Sequence, residues 1–257
     1  MGGPADDAWS LDGRVAVVTG AGRGLGAACA EELARRGAAL VIVARGAAEL
    51  EREAERLRAE GAQVEVVAAD VTDEGGARLV LAAAERLGDL RVCVNSAGTN
   101  RTGPSATYAL DDWDALFAVN VRATFLMCRE VGGSLLRRGL PGSIVNMSSQ
   151  MGSVGYPGRA AYCAGKHAVE GMTKALAVEW AAAGVRVNAV APTFVETPMT
   201  RPMLADEEFH KEVLGRIPSG RLATCEEVAA AVAFLACDGS NSVTGHSLKV
   251  DGGWTAW

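Results

Sequence analysis

Residues 14–26 read RVAVVTGAGRGLG. A short Val-rich run, RVAVV at 14–18, passes directly into Thr19-Gly20-Ala21-Gly22-Arg23-Gly24-Leu25-Gly26. Beta-branched runs of this length fit a buried strand, and a helical pattern follows over about 25–36. Glycines at a strand-to-helix turn let the backbone approach a pyrophosphate, and the helix N-terminus favours its negative charge. The spacing is TGxxxGxG, not GxGxxG. Alone, such a loop is often just a tight turn. The strand before it and the helix after it make it a candidate nucleotide cradle.

The same alternation recurs along the chain. Further apolar runs are ALVIV (39–43), VEVVA (64–68), LRVCV (90–94), SIVNM (143–147), VRVNAV (185–190) and SLKV (247–250). Helical patterns fall between them, near 46–60, 73–87, 112–138, 160–183 and 225–237. Continuous apolar strands separated by helices predict an α/β fold with a parallel sheet covered on both faces. No linker or internal repeat divides the chain. The expected organisation is a disordered leader over 1–10 and one doubly wound domain over 11–257.

Composition narrows the function classes. Of 257 residues 49% are hydrophobic, and the net charge is −6 with no basic block. That argues against nucleic acid or an anionic membrane as partner. The cysteines at 29, 93, 128, 163, 225 and 237 are scattered, without CxxC spacing. They read as reduced core residues of a cytoplasmic protein. The three histidines (167, 210, 246) are isolated, so no metal site is expected. The N-terminus has no apolar signal region, and Asp6 stands where a myristoylation signal needs Ser or Thr. No apolar run approaches the ~18 residues of a membrane span.

The end of the second strand bears on which nucleotide is held. Acidic residues there hold a ribose 2′-OH, whereas Arg accommodates a 2′-phosphate. Here the strand ends Val43-Ala44-Arg45, and Arg23 lies in the glycine loop. NADP(H) is therefore the expected cofactor, with NAD(H) the alternative. The alternative reading is that both are solvated surface arginines.

The chemistry concentrates in Ser149–Lys166, SQMGSVGYPGRAAYCAGK. Tyr162 follows Ser149 by thirteen positions (162 − 149), and Lys166 follows Tyr162 by four (166 − 162). On a helix, i and i+4 share a face. A phenol titrates near pH ~10, and a neighbouring ammonium favours phenolate. The pair is thus a candidate proton donor and acceptor. By itself it is also an ordinary amphipathic surface pair. Gln150, Met151, Tyr156 and Phe194 are expected to line a substrate pocket, and the segment 194–218 a lid or plain connector.

With the glycine loop and the Ser–Tyr–Lys spacing together, the sequence resembles the short-chain dehydrogenase/reductase family in its single-domain form, over about residues 12–254. Thr19–Gly26 matches the family's cofactor loop. Asp70-Val71 looks like its adenine-contacting pair. Asn95-Ser96-Ala97-Gly98 matches its NNAG stretch, with Ser for the second Asn. Asn120, Ser149, Tyr162 and Lys166 match its catalytic tetrad. Ala191–Thr197 looks like its PG loop, with Thr193 replacing Gly.

The resemblance implies a single Rossmann domain with a seven-stranded parallel sheet and reversible hydride transfer between a nicotinamide and an alcohol or ketone carbon. Tyr162 would act as general acid/base and Lys166 would hold the nicotinamide ribose. Ser149 would polarise the substrate oxygen, and Asn120 would place a water for a proton relay. With the arginine reading, the cofactor contacts are Gly20, Gly22, Arg23, Gly24, Leu25, Gly26, Arg45, Asp70, Val71, Asn95, Ala97, Gly98, Tyr162, Lys166, Pro192, Val195 and Thr197. The ending Asp251–Trp257 looks like those of sugar, polyol and sugar-acid dehydrogenases. A polyol, sugar acid or keto-sugar is therefore the first expectation. A 3-oxoacyl thioester of acyl carrier protein, or another ketone, is the second. A silent nucleotide-binding protein is a remote third, since such proteins usually lose the Tyr or Lys. A serine hydrolase is set aside, because there is no GxSxG and no His–Asp pair is evident. Relatives pair through the long helices and the last helix and strand, which implies a homotetramer.

Overall fold

The computed structural model describes residues 7–256. Its strands are β1 (Arg14–Thr19), β2 (Ala39–Ala44), β3 (Val64–Ala68), β4 (Asp89–Asn95), β5 (Gly142–Met147), β6 (Val185–Pro192) and β7 (Ser247–Val250). They form one sheet in the order β3-β2-β1-β4-β5-β6-β7. Every pairing is parallel. The chain builds outward from β1 to β3, then returns to the other side of β1 at β4. This reversal opens a crevice at the carboxyl ends of β1 and β4, where doubly wound sheets bind ligands.

The helices are α1 (Gly24–Arg35), α2 (Ala47–Ala59), α3 (Glu74–Leu87), α4 (Leu110–Phe117), α5 (Ala123–Arg138), α6 (Ala160–Trp180), α7 (Arg201–Leu204), α8 (Glu207–Gly215) and α9 (Cys225–Ala236). Strand alternation decides which helices meet. Ala16, Val18, Leu40 and Ile42 point to one face, against α1, α2 and α9 through Leu33, Leu50 and Val232. Val15, Val17, Val41 and Val43 point to the other, against α3, α5 and α6 through Val80, Met127 and Trp180. Both faces of the central strands β1 and β2 are covered, so their interior residues are apolar. Each fully buried Val or Leu contributes roughly 1.5–3 kcal/mol of transfer free energy. The α5–α6 approach needs a glycine: a Cβ on Gly132 would lie 2.5 Å from the Trp180 ring.

Three expectations change. The helix read over 112–138 is interrupted by a π-helical turn at Ala118–Arg122; apolar periodicity does not register one extra residue per turn. The segment 194–218 is partly helical, because Pro202 sits in the first turn of α7, where its missing N–H costs nothing. The leader does not extend to residue 10. Asp7–Trp9 forms a 3-10 turn, and Trp9 stacks on Phe234 with ring centroids 5.7 Å apart. Gly239 makes room for that indole, since a Cβ there would lie 2.4 Å from it. Residues 1–6 of the expected leader lie outside the described residues. Among the described residues, no helix is long and apolar enough to cross a membrane, and no His, Cys, Asp and Glu group could hold a metal ion.

Candidate active site

The crevice is a cleft of about 400 Å³. Its floor is the glycine loop. Thr19 ends β1, and its Oγ1 accepts hydrogen bonds from the backbone N–H of Ser96 and of Ala97, each 3.1 Å. This ties the loop to the end of β4. Gly20 (φ +69°) follows, and a Cβ there would lie 2.9 Å from the Ala97 backbone. At Gly26 a Cβ would lie 2.2 Å from the Gly20 carbonyl oxygen. That contact is backbone to backbone, so no side chain can yield. The two glycines hold the first turn of α1 against the loop, with its N–H groups facing the cleft.

Of the residues expected to contact a nucleotide, Gly20, Gly22, Arg23, Gly24, Leu25, Gly26, Arg45, Asp70, Val71, Ala97, Gly98, Tyr162, Lys166, Pro192, Val195 and Thr197 all line this cleft. Asn95 does not. It is buried below the cleft, where its Nδ2 donates to Asn146 Oδ1 at 2.8 Å and to Cys128 Sγ at 3.3 Å. The register pairs Asn95 with Asn146 across β4 and β5, so its side chain braces these two strands beneath the cleft.

At the far end of the loop, Arg45 is well exposed and its Nη1 lies 4.0 Å from Asp70 Oδ2. Asp70 Oδ1 accepts from the Thr72 backbone N–H at 2.9 Å. That bond, aided by Arg45, holds the carboxyl below the usual carboxylate range. Arg23 reaches Glu49 at 3.5 Å. Glu49 also lines the cleft and was not expected there. The first turn of α2 returns it to the sheet edge, which a strand-end reading stops short of.

Ser149 sits just past β5 and is buried. Its Oγ donates to Gln150 Oε1 at 2.8 Å and accepts from the Met151 N–H at 3.2 Å. Gln150 therefore orients Ser149 and does not line the cleft. Met151, Tyr156 and Phe194, also expected at the pocket wall, pack in a satellite cluster with Trp254 and Leu204. Tyr162 and Lys166 follow on α6. Lys166 is buried, and its Nζ donates to the Met147 carbonyl at 2.7 Å and stands 5.6 Å from the Tyr162 ring centroid. Burial brings the ammonium down to about 8, against a weaker opposing pull from Glu170.

The phenol departs from expectation. Burial raises the Tyr162 pKa. The groups that pull it back down are the Ser149 hydroxyl and the Arg159 guanidinium, not Lys166. A lysine that is itself costly to charge makes a weak electrostatic partner for the phenolate.

Asn120 lies in the π-helical turn and is buried. Its Nδ2 donates to the Thr99 carbonyl and its Oδ1 accepts from the Thr99 N–H, both 2.8 Å. It thus clamps the loop after β4 and does not itself line the cleft. The π turn, a feature frequent at functional sites, is what turns this amide toward that loop. Thr193 replaces the expected glycine without strain, since no non-glycine residue described has positive φ. Its N–H donates to the Val250 carbonyl at 3.1 Å. Its hydroxyl is buried in the cleft wall with no hydrogen-bond partner among the described residues.

The model of the family described as Enoyl-(Acyl carrier protein) reductase matches residues 20–255. The chain is 39% identical over 250 residues to the gluconate 5-dehydrogenase of Gluconobacter oxydans, covering 97% of each. It is 41% identical over 246 residues to the D-threitol dehydrogenase of Mycolicibacterium smegmatis, covering 95% of this chain and 94% of that one. The crystal structure of a gluconate 5-dehydrogenase from Burkholderia cenocepacia, in complex with NADP and tartrate, superposes with a TM-score of 0.94 at 36% identity. That match covers 98% of this chain and 99% of the other. Likeness of this extent, over nearly all of both partners, shows that the chain belongs to the short-chain dehydrogenase/reductase family.

Proposed function

We propose that the protein is an NADP(H)-preferring oxidoreductase that interconverts a secondary alcohol and a ketone on a polyol, sugar acid or keto-sugar. The observation that carries this reading is the convergence of Ser149, Tyr162 and Lys166 on the glycine-floored cleft. The cradle suits a pyrophosphate: glycine at 20 and 26 lets the loop backbone close on the first turn of α1, where a Cβ on Gly26 would meet the Gly20 carbonyl oxygen at 2.2 Å. When bound, the cofactor supplies or accepts the hydride. Tyr162 donates a proton to the substrate oxygen in reduction and takes one in oxidation. Ser149 donates its one O–H to that same oxygen, turning away from Gln150 Oε1 to do so. Lys166, with a pKa of about 8, exchanges protons near neutral pH and holds the cofactor ribose. Asn120 fixes the neighbouring loop and supports the water path that refills Lys166.

Two relatives named for gluconate and threitol oxidation support a sugar-type substrate. A 3-oxoacyl thioester is the competing reading. The decisive experiment is a side-by-side screen of sugar alcohols, sugar acids and their keto forms against 3-oxoacyl thioesters. Turnover confined to the thioesters would reject the sugar reading.

Arg45 is proposed to read the 2′-phosphate. Replacing it with Ala is expected to weaken NADPH binding about tenfold more than NADH binding, as befits one charge-assisted contact. Fluorescence titration of both cofactors measures this, and an equal loss for both would remove Arg45 from that role.

The protein is also proposed to be cytoplasmic, in keeping with its free cysteines, and a homotetramer. Supporting the assembly, Leu110, Trp113, Phe125 and Val178 are large apolar residues exposed on α4, α5 and α6. Light scattering is expected to give four times the chain mass; a monomer would contradict it.

A further inference from the structure

Two arginines are buried to more than nine-tenths, Arg186 at 7% exposure and Arg159 at 5%. Arg186 is explained by its surroundings. Its guanidinium donates to the carbonyls of Leu235, Cys237 and Val243 at 2.8, 3.1 and 3.5 Å. Arg159 has nothing comparable. Among the described residues the guanidinium makes one hydrogen bond, from Nη2 to the Met203 thioether at 3.2 Å, a weak acceptor. Among the described residues no carboxylate lies within 4 Å of it. The rings of Tyr156 and Phe194 lie 5.6 and 5.7 Å from Cζ, and Tyr162 and Cys163 are near enough to interact with its charge. Glu212, the nearby acid, is already engaged by Arg216 at 3.0 Å and by the Tyr156 hydroxyl at 3.1 Å.

A buried guanidinium with so few acceptors is costly in isolation. Desolvation pulls its pKa down, yet an arginine stays charged at any working pH. Such a group is poised for an oxyanion that brings its own acceptors. The place is suitable. Arg159 is the residue before α6, a helix of 21 residues whose first turn carries no acidic residue and no capping side chain. The helix dipole adds to the positive potential there. Tyr162 follows three positions later and feels the charge of Arg159. Met203 covers the guanidinium from α7, a four-residue helix, so a stronger acceptor displaces only a thioether.

We propose that Arg159 is the subsite for the carboxylate of a sugar-acid substrate, bound bidentately by the guanidinium while a hydroxyl carbon faces Tyr162. The proposal rests on the sugar-type oxidoreductase reading and selects the acids within it. The planar fork suits a carboxylate and has no use for a neutral hydroxymethyl group. Arg159 therefore decides which end of the substrate enters.

The test has two arms. In the first, gluconate and glucitol are titrated calorimetrically into the protein held with NADPH, which cannot reduce either. Gluconate is expected to bind at least about tenfold tighter than glucitol, and Arg159→Met to abolish that preference. In the second, kcat/KM is measured for a panel of sugar acids and the matching alditols. The acid-to-alditol ratio is expected to fall about 100-fold in Arg159→Met, mainly through KM, and to recover partly in Arg159→Lys. An unchanged preference in Arg159→Met, or tighter glucitol binding by the parent protein, overturns the subsite. If gluconate binds through Arg159 but neither acids nor alditols turn over, the subsite stands and the redox reading falls. If both turn over with an Arg159-independent ratio, the reverse holds.

Discussion

Replacing Tyr162 by Phe is expected to lower kcat about a thousandfold while leaving the NADPH dissociation constant within about threefold, the range for losing one general acid/base. The ring and its packing remain, and only the hydroxyl in the cleft is lost. The structure adds a second signature. Burial raises the phenol and Arg159 lowers it, so the parent reduction rate should hold at neutral pH and decline only in the alkaline range. In Tyr162→Phe the residual rate should lose that alkaline limb. Stopped-flow absorbance of NADPH, at a series of pH values, reads both. Parent-like turnover in the variant would remove Tyr162 from the mechanism.

Lys166→Met is expected to separate activity from stability. Activity should fall at least about a thousandfold, because both the proposed ribose contact and the proposed proton route go through this ammonium. Stability at pH 7 should rise. The folded-state pKa of Lys166 is about 8 against an ordinary value of 10.5. Between those values the unfolded chain binds more protons, so stability rises with pH across that interval, and below about 8 the penalty is present in full. At ~1.4 kcal/mol per pKa unit the penalty is roughly 3 kcal/mol. Against it stands the Met147 carbonyl, which loses its 2.7 Å donor at a cost of about 1–3 kcal/mol. The net gain is on the order of 1 kcal/mol, a few degrees in Tm for a chain of this size. The gain should shrink above pH 8 and reverse by about pH 10.5, where the parent lysine is neutral in both states. Thermal melts across this pH range check the trend. A variant less stable than the parent at pH 7 would show that the burial penalty on Lys166 is overstated.

The parts of this fold that could be read from sequence are those whose cause is local. The central strands are buried on both faces, so their Val and Ile runs stand out. The glycines at 20, 24 and 26 are dictated by positive φ or by backbone contact. The Tyr162–Lys166 spacing is helical geometry. What escaped the reading depends on contacts between distant segments. Asn95 belongs to a network with Asn146 and Cys128, which only the β4–β5 register assembles. Gln150 follows Ser149 in sequence, yet its role as the serine's brace depends on the 3-10 turn. Arg159 carries no signal at all as one arginine in GYPGRAAY. Its burial under Met203, Phe194 and Tyr156 comes from α7, the loop after β6 and the stretch before α6 closing together. The extra residue of the π turn is invisible to an apolar stripe, although it decides where Asn120 points.

In the proposed reaction a hydride moves between a nicotinamide held on the glycine loop and a sugar-type carbonyl carbon beside Tyr162. The most direct measurement uses NADPH carrying deuterium at C4 in each of its two stereochemical positions, with a panel of keto-sugars and keto-acids of sugars as acceptors. Mass and NMR analysis of the product is predicted to find deuterium on the new CH–OH carbon from one of the two labelled forms and none from the other. Product that contains no deuterium from either form, or no NADPH oxidation with any member of the panel, would contradict the account.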